Sequence, residues 1–137
     1  MAKQIIQNPV VIIGTGTVSA NCVKVTINLT AEDVDTTNFQ SGGSKERTGG
    51  LKDGSVSFEW QQDYAAGSVD ATFFPLLGTL VAFEVRPAST ATVGSANPKY
   101  AGTLLVTEYS PVDSAVGDLA TFSTTWPTSG AVSRVTA

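Results

Sequence analysis

Histidine is absent from this chain of 137 residues, and cysteine occurs once. Without histidine, the commonest general base and the commonest metal ligand are missing. A lone Cys22 closes no internal disulfide, and the chain has neither a CxxC pair nor a phosphate-binding loop, so most other catalytic constellations are excluded too. Charge is also scarce. Charged residues make up 15% of the chain, against roughly a quarter in an average protein. The net charge of −4 and a pI near 4.5 leave no surplus of cations to bind a phosphate backbone. No apolar run approaches the ~18 residues of a membrane span, and residues 1–20 lack the basic start and apolar block of a signal peptide. These absences lead us to expect a cytoplasmically made protein with no membrane partner, no cofactor, no specific nucleic-acid binding and no enzymatic activity. The length suits a single domain, 1–137.

What fills the chain is Ser, Thr, Ala and Gly in β-type runs. A neutral surface of this kind is poorly protected against self-association. The clearest strand is Ser55 to Gln61, with Val56, Phe58 and Trp60 inward and Ser57, Glu59 and Gln61 outward. Val10 to Ile13 is a short apolar strand ending at Gly14, read as one arm of a hairpin whose second arm runs from about Asn21 to Leu29. In that second arm, period two places Val23, Val25, Ile27 and Leu29 on one face and Cys22, Lys24, Thr26 and Asn28 on the other. Leu80 to Arg86 alternates Val81, Phe83 and Val85 against Glu84 and Arg86. Ala101 to Tyr109, Asp118 to Trp126 and Ala131 to Thr136 are three further runs, expected to form an antiparallel meander. The middle run carries no charge on either face beyond its first residue, which points to cover on both sides, one of them a partner subunit.

One helix is expected, over residues 69–78. Ser68 serves as N-cap, Asp70 sits in the first turn, and Phe73, Leu76 and Leu77 form the apolar face. Pro75 should kink it or shift its start. The expected architecture is mainly β: a two-sheet sandwich or partly closed barrel of about seven or eight strands, with one short helix and a long loop.

That loop is Ala31 to Gly50, the longest stretch without periodicity. Loops of such length are usually functional or disordered. Lys45, Glu46 and Arg47 near its tip read either as a solvated tip or as an inter-subunit contact in which Lys45 and Arg47 meet acidic groups of a neighbour. Residues 1–9 form an arm, and 88–98 is a featureless Ser/Thr/Ala/Gly loop. Gly14-Thr15-Gly16 imitates a dinucleotide-binding turn, but a β-branched strand follows where a helix is required. Glu32, Asp33 and Asp35 lack the spacing of a calcium loop. Like Asp113 and Asp118, they read as turn carboxylates.

The run Gly117-Asp118-Leu119-Ala120-Thr121-Phe122-Ser123-Thr124-Thr125-Trp126, with a turn and a short strand after it, resembles the C-terminal end of bacteriophage major tail proteins. The resemblance extends to Asp35-Thr36-Thr37, to Gly50-Leu51-Lys52-Asp53-Gly54 and to the passage Val69 to Pro87. It implies a structural virion protein, a tail tube subunit of a long-tailed phage made in the host bacterial cytoplasm. Its partners would be itself, in hexameric rings stacked into a tube, and other phage tail proteins, with DNA passing through unbound. It also implies that the 31–50 loop, with Asp35, Thr36, Thr37, Lys45 and Arg47, reaches the adjacent ring. The lumen should be neutral or acidic, and the candidate residues are Glu59 and Glu84. A capsid decoration or cement protein, or another β-sandwich virion module, is the alternative.

Overall fold

The sandwich follows from where alternation places the large side chains. In a computed structural model that describes residues 5–6, 8–14, 16–88, 93–94 and 97–136, the strands are β1 (Val10–Ile13), β2 (Gly16–Thr17), β3 (Cys22–Asp35), β4 (Arg47–Gln61), β5 (Leu80–Arg86), β6 (Lys99–Leu105), β7 (Thr121–Pro127) and β8 (Ser133–Val135). They make two antiparallel sheets that do not close into a barrel. The first sheet runs β2-β1-β5-β6-β8 and the second β3-β4-β7. Parts of the sequence reading fall outside the described residues: 1–4 and 7 of the N-terminal arm, Thr15 of the glycine turn, and 89–92 and 95–96 of the 88–98 loop.

The inner faces meet in an aromatic core. Val56, Phe58 and Trp60 of β4, Phe122 and Trp126 of β7, and Val81, Phe83 and Val85 of β5 are all buried in it. Phe58 stacks on Trp60 with ring centroids 4.7 Å apart, and Phe73 stands edge-on to Trp60 at 4.9 Å and to Trp126 at 5.4 Å. Phe73 comes from the helix α1 (Val69–Phe73), which inserts Val69 and Phe73 into the core. Asp70 lies in its first turn, but Ser68 makes no side-chain capping bond. The helix is shorter than expected because Pro75 cannot extend the α ladder. A 3-10 turn, Phe74–Leu76, continues it instead, and Leu77 is left 48% exposed.

Four expectations need correction. The three C-terminal runs do not form a meander: β6 pairs with β8 in the first sheet, while β7 pairs with β4 in the second. Alternation assigns faces but not partners, and the connection 106–120 is long enough to carry the chain between sheets. Val10 to Ile13 pairs with the two-residue β2 and with β5, not with the strand after it, which belongs to the opposite sheet. Cys22 lies on the core side and Val23 is 62% exposed, because a β-bulge between Cys22 and Lys24 breaks the period of two. The last concerns residues 31–50. They are not an unstructured loop: β3 runs on to Asp35 and β4 begins at Arg47, so only residues 36–46 remain outside the strands.

Candidate assembly surface

Beyond Ser55, the β3/β4 hairpin leaves the sandwich. β7 ends opposite that point, at Pro127, yet β3 and β4 stay paired down to Asp35 and Arg47. The projecting ribbon from Gly54 to Arg47 is roughly 23 Å long at the usual strand rise, and most of it is exposed. Along β3 the inner face of the second sheet continues past the edge of the core. Leu29 is 54% exposed and lines an open hollow with Thr128, Ala131 and Val132, and Val34 is 37% exposed. Two glycines of β4 make room for them: a Cβ on Gly54 would meet Leu29 Cδ2 at 2.8 Å, and one on Gly50 would meet Val34 Cγ2 at 2.9 Å. The Gly50-to-Gly54 motif is therefore a packing device of the arm.

The tip is a chain of turns. Asn38 N–H donates to Ser41 Oγ (2.9 Å), Gln40 N–H to Asn38 Oδ1 (2.9 Å) and Ser41 N–H to the Asn38 carbonyl (3.1 Å). At its neck, Thr36 N–H donates to the Glu46 carbonyl (2.9 Å), Glu46 N–H to Thr37 Oγ1 (2.9 Å) and Thr37 N–H to Asp35 Oδ1 (2.9 Å). Bonds from the Thr37 side chain and backbone hold the Asp35 carboxyl below its ordinary value. Asp35, Thr36 and Thr37 thus come together as the lock of the tip. Arg47 does not wait for a neighbour's carboxylate: its Nε lies 3.3 Å from Asp33 Oδ2 of the same ribbon. Lys45 makes no ion pair among the described residues. Sequence reasoning passed over Phe39, which stands wholly exposed at the tip, and Leu51, 81% exposed on the arm. An apolar side chain inside a Gly/Ser/Thr turn run was the available signal.

The two lumen candidates sit in different sheets. Glu59 is exposed on the outer face of the second sheet, where its strand neighbours are Lys24 and Ser123. That face is otherwise hydroxyl-rich, with Ser57 and Thr125 Oγ atoms 3.1 Å apart. Glu84, in contrast, is engaged: Oε2 lies 3.3 Å from Arg86 Nε and Oε1 lies 3.6 Å from Lys99 Nζ, with the carboxylate about a quarter exposed. It reads as the centre of an ion-pair triad across β5 and β6.

Segment 106–120 runs along the margin of β7, from Trp126 on the arm side to Thr121 at the far end. Glu108 takes the Thr125 N–H on its carboxylate (2.8 Å) and the Trp126 indole N–H on its carbonyl (2.9 Å). Tyr109 OH donates to Asp70 Oδ1 (2.6 Å) and accepts from Gln62 Nε2 (3.0 Å). Burial, reinforced by the Asp70 bond, pushes its hydroxyl up to about 12. The loop that follows exposes Val112 (77%), Val116 (106%) and Leu119 (67%). Asp113 of that loop lines a hollow of about 440 Å³ together with Val23, Glu59, Trp60, Phe122 and Ser123. Burial pushes the Cys22 thiol up to about 11, so it is a poor nucleophile at neutral pH. Among the described residues, no group of three or more His, Cys, Asp or Glu side chains is placed to hold a metal ion.

No protein-family model matches the chain, and no curated protein matches it significantly in sequence. Several solved chains share its fold, among them two from gene transfer agent particles. A chain in the virion of a native gene transfer agent particle superposes with a TM-score of 0.73 at 20% identity, over 97% of this chain and 99% of that one. A chain in the tail of an empty gene transfer agent particle, of C6 symmetry, superposes with a TM-score of 0.66 at 23% identity, over 89% of this chain and 86% of that one.

Proposed function

We propose that this protein is a structural virion protein, the major tail tube subunit of a long-tailed phage or phage-like particle, which assembles with itself into stacked hexameric rings. The observation that carries the reading is the fold shared along nearly the whole chain with a component of a gene transfer agent virion, and with one of a C6-symmetric tail. Two features of the molecule support it. β3 is an edge strand 14 residues long, and an open edge of that length is a template for pairing with another copy. The arm also exposes Leu29, Leu51 and Phe39 to solvent, where an isolated monomer gains nothing from them. With 12 acidic against 8 basic residues, the subunit suits a channel that releases DNA, since phosphates are held by displacing counterions from clustered Lys and Arg. Glu59, on the hydroxyl-rich face, is the lumen residue we favour. Glu84 is less suited because two cations already surround it. Electron micrographs of the purified protein test the reading: tubes or rings support it, and uniformly dispersed single particles favour a decoration protein.

A further inference from the structure

The two outer edges of the second sheet are not alike. On one side β3 presents 14 residues, with no strand outside it among the described residues. On the other, β7 points the amides of alternate residues away from β4, and most of those positions are already closed. Ser129 N–H donates to the Thr103 carbonyl (2.9 Å), Pro127 has no N–H, and Thr125 N–H donates to the Glu108 carboxylate (2.8 Å). Glu108 is solvent-exposed, yet its carboxylate is committed to a backbone amide. The segment that carries it is fastened at further points. The Glu108 carbonyl takes the Trp126 indole N–H (2.9 Å), Tyr109 OH donates to Asp70 (2.6 Å), and Gln62 Nε2 donates to the Pro111 carbonyl (2.9 Å). We propose that segment 106–111 is an autoinhibitory strap: Glu108 holds the β7 amide that a strand of a second copy needs, and the edge opens only when the strap lets go.

The strand that takes the opened edge is β3 of the second copy. The inference rests on the tube reading, in which a ring closes through unlike surfaces, so β3 needs an edge other than another β3. In the first sheet the outer strands are β2, of two residues, and β8, of three, too short to receive it. β7 has seven. With the strap in place its free edge is confined to 121–123; with Glu108 moved away it runs over 121–125, close to an ordinary strand of about five residues. Charge agrees with this pairing. Lys24 is the one charged residue between Cys22 and Thr30 of β3, and it makes no ion pair among the described residues. Segment 106–120 has Glu108, Asp113 and Asp118 as its charged residues, and Asp113 lines the hollow at Thr121 and Ser123, beside the edge that the incoming strand meets. A closed edge of this kind resists premature pairing of free subunits.

The test compares Glu108→Ala and Glu108→Gln in the full chain, with cooperative melting of each variant showing that the fold survives. Alanine removes the carboxylate and keeps the backbone carbonyl on Trp126. Loss of a charge-assisted bond should raise the population of the open edge, and so lower the concentration for half-assembly, by about tenfold. Glutamine keeps an acceptor oxygen and should stay closer to the wild type. A purely structural role for Glu108 would lower stability without easing assembly. Lys24→Glu added to Glu108→Ala should raise the half-assembly concentration again. Hydrogen exchange at the Thr125 amide reads the exchange of partners: slow in the free wild type, fast in free Glu108→Ala, and slow once more in its tubes. If Glu108→Ala needs the wild-type concentration or more, if it gives disordered aggregates in place of tubes, or if its Thr125 amide stays fast in tubes, the strap is overturned while the tube reading stands. If neither wild type nor variant assembles at any concentration, both fall together.

Discussion

Replacing Thr124 by Val removes one oxygen from the second sheet and almost no volume. Thr124 is 2% exposed, and its Oγ1 accepts the indole N–H of Trp60 at 3.0 Å. Trp60 is itself wholly buried, stacked on Phe58 and met edge-on by Phe73, so no water reaches the orphaned N–H. An unsatisfied buried donor costs about 1 to 3 kcal/mol. For 137 residues, an unfolding entropy of roughly 2.1 cal/mol/K per residue gives about 0.29 kcal/mol per degree, so a 2 kcal/mol loss lowers Tm by about 7 °C. Calorimetry of Thr124→Val measures this directly. The decisive comparison is Thr124→Val in a Trp60→Phe background: with the donor gone, the same methyl should cost little or nothing, a coupling of about 1 to 3 kcal/mol. An equal cost in both backgrounds would refute the claim that this bond, and not the general fit of the core, sets the effect.

The arm should respond differently. A bare two-stranded ribbon is only marginally stable in water, so amides of residues 28–35 and 47–53 should exchange quickly in the monomer and slowly after assembly; equal protection in both states would make the arm an ordinary part of the domain. Replacing residues 36–46 by a two-residue turn should leave Tm within about 2 °C, since that segment lies outside the core, yet prevent tube formation. Tyr109 should ionise near pH 12 in an ultraviolet titration. Its folded pKa is raised above the unfolded value of about 10, so its contribution to stability is complete below pH 10 and is lost as pH rises through about 12. Glu59→Lys should leave tubes intact while slowing DNA release at low salt, and normal release there would contradict the lumen assignment.

Most of the sandwich is legible in the sequence because its strands are half-buried. Val10–Ile13 and Leu80–Arg86 carry patterns that end at Gly14 and Pro87, and the observed strands stop at those boundaries. Trp60 announces itself as a core anchor by alternation with Phe58 and Val56. The arm is illegible for the same physical reason. Its two strands face solvent for most of their length, so no period-two pattern of burial marks them, and the glycines that suggest a loop in fact clear space for Leu29 and Val34. Strand partnership is likewise invisible, as β7 shows by crossing to the sheet opposite its sequence neighbours. Among the candidate residues, Lys45 makes no ion pair among the described residues, and its contact with a neighbour stays a proposal. Arg47 and Glu84 are occupied by partners in the same chain, and a pairing between strands cannot be counted from linear spacing.

The central claim is self-assembly through the second sheet and its arm, and cryo-electron microscopy of the purified full-length protein tests it most directly. The account predicts hollow tubes built from stacked six-membered rings, with the arm of each subunit touching a subunit of the next layer. Dispersed monomers at every concentration, or tubes in which the arms point into solvent, would contradict it.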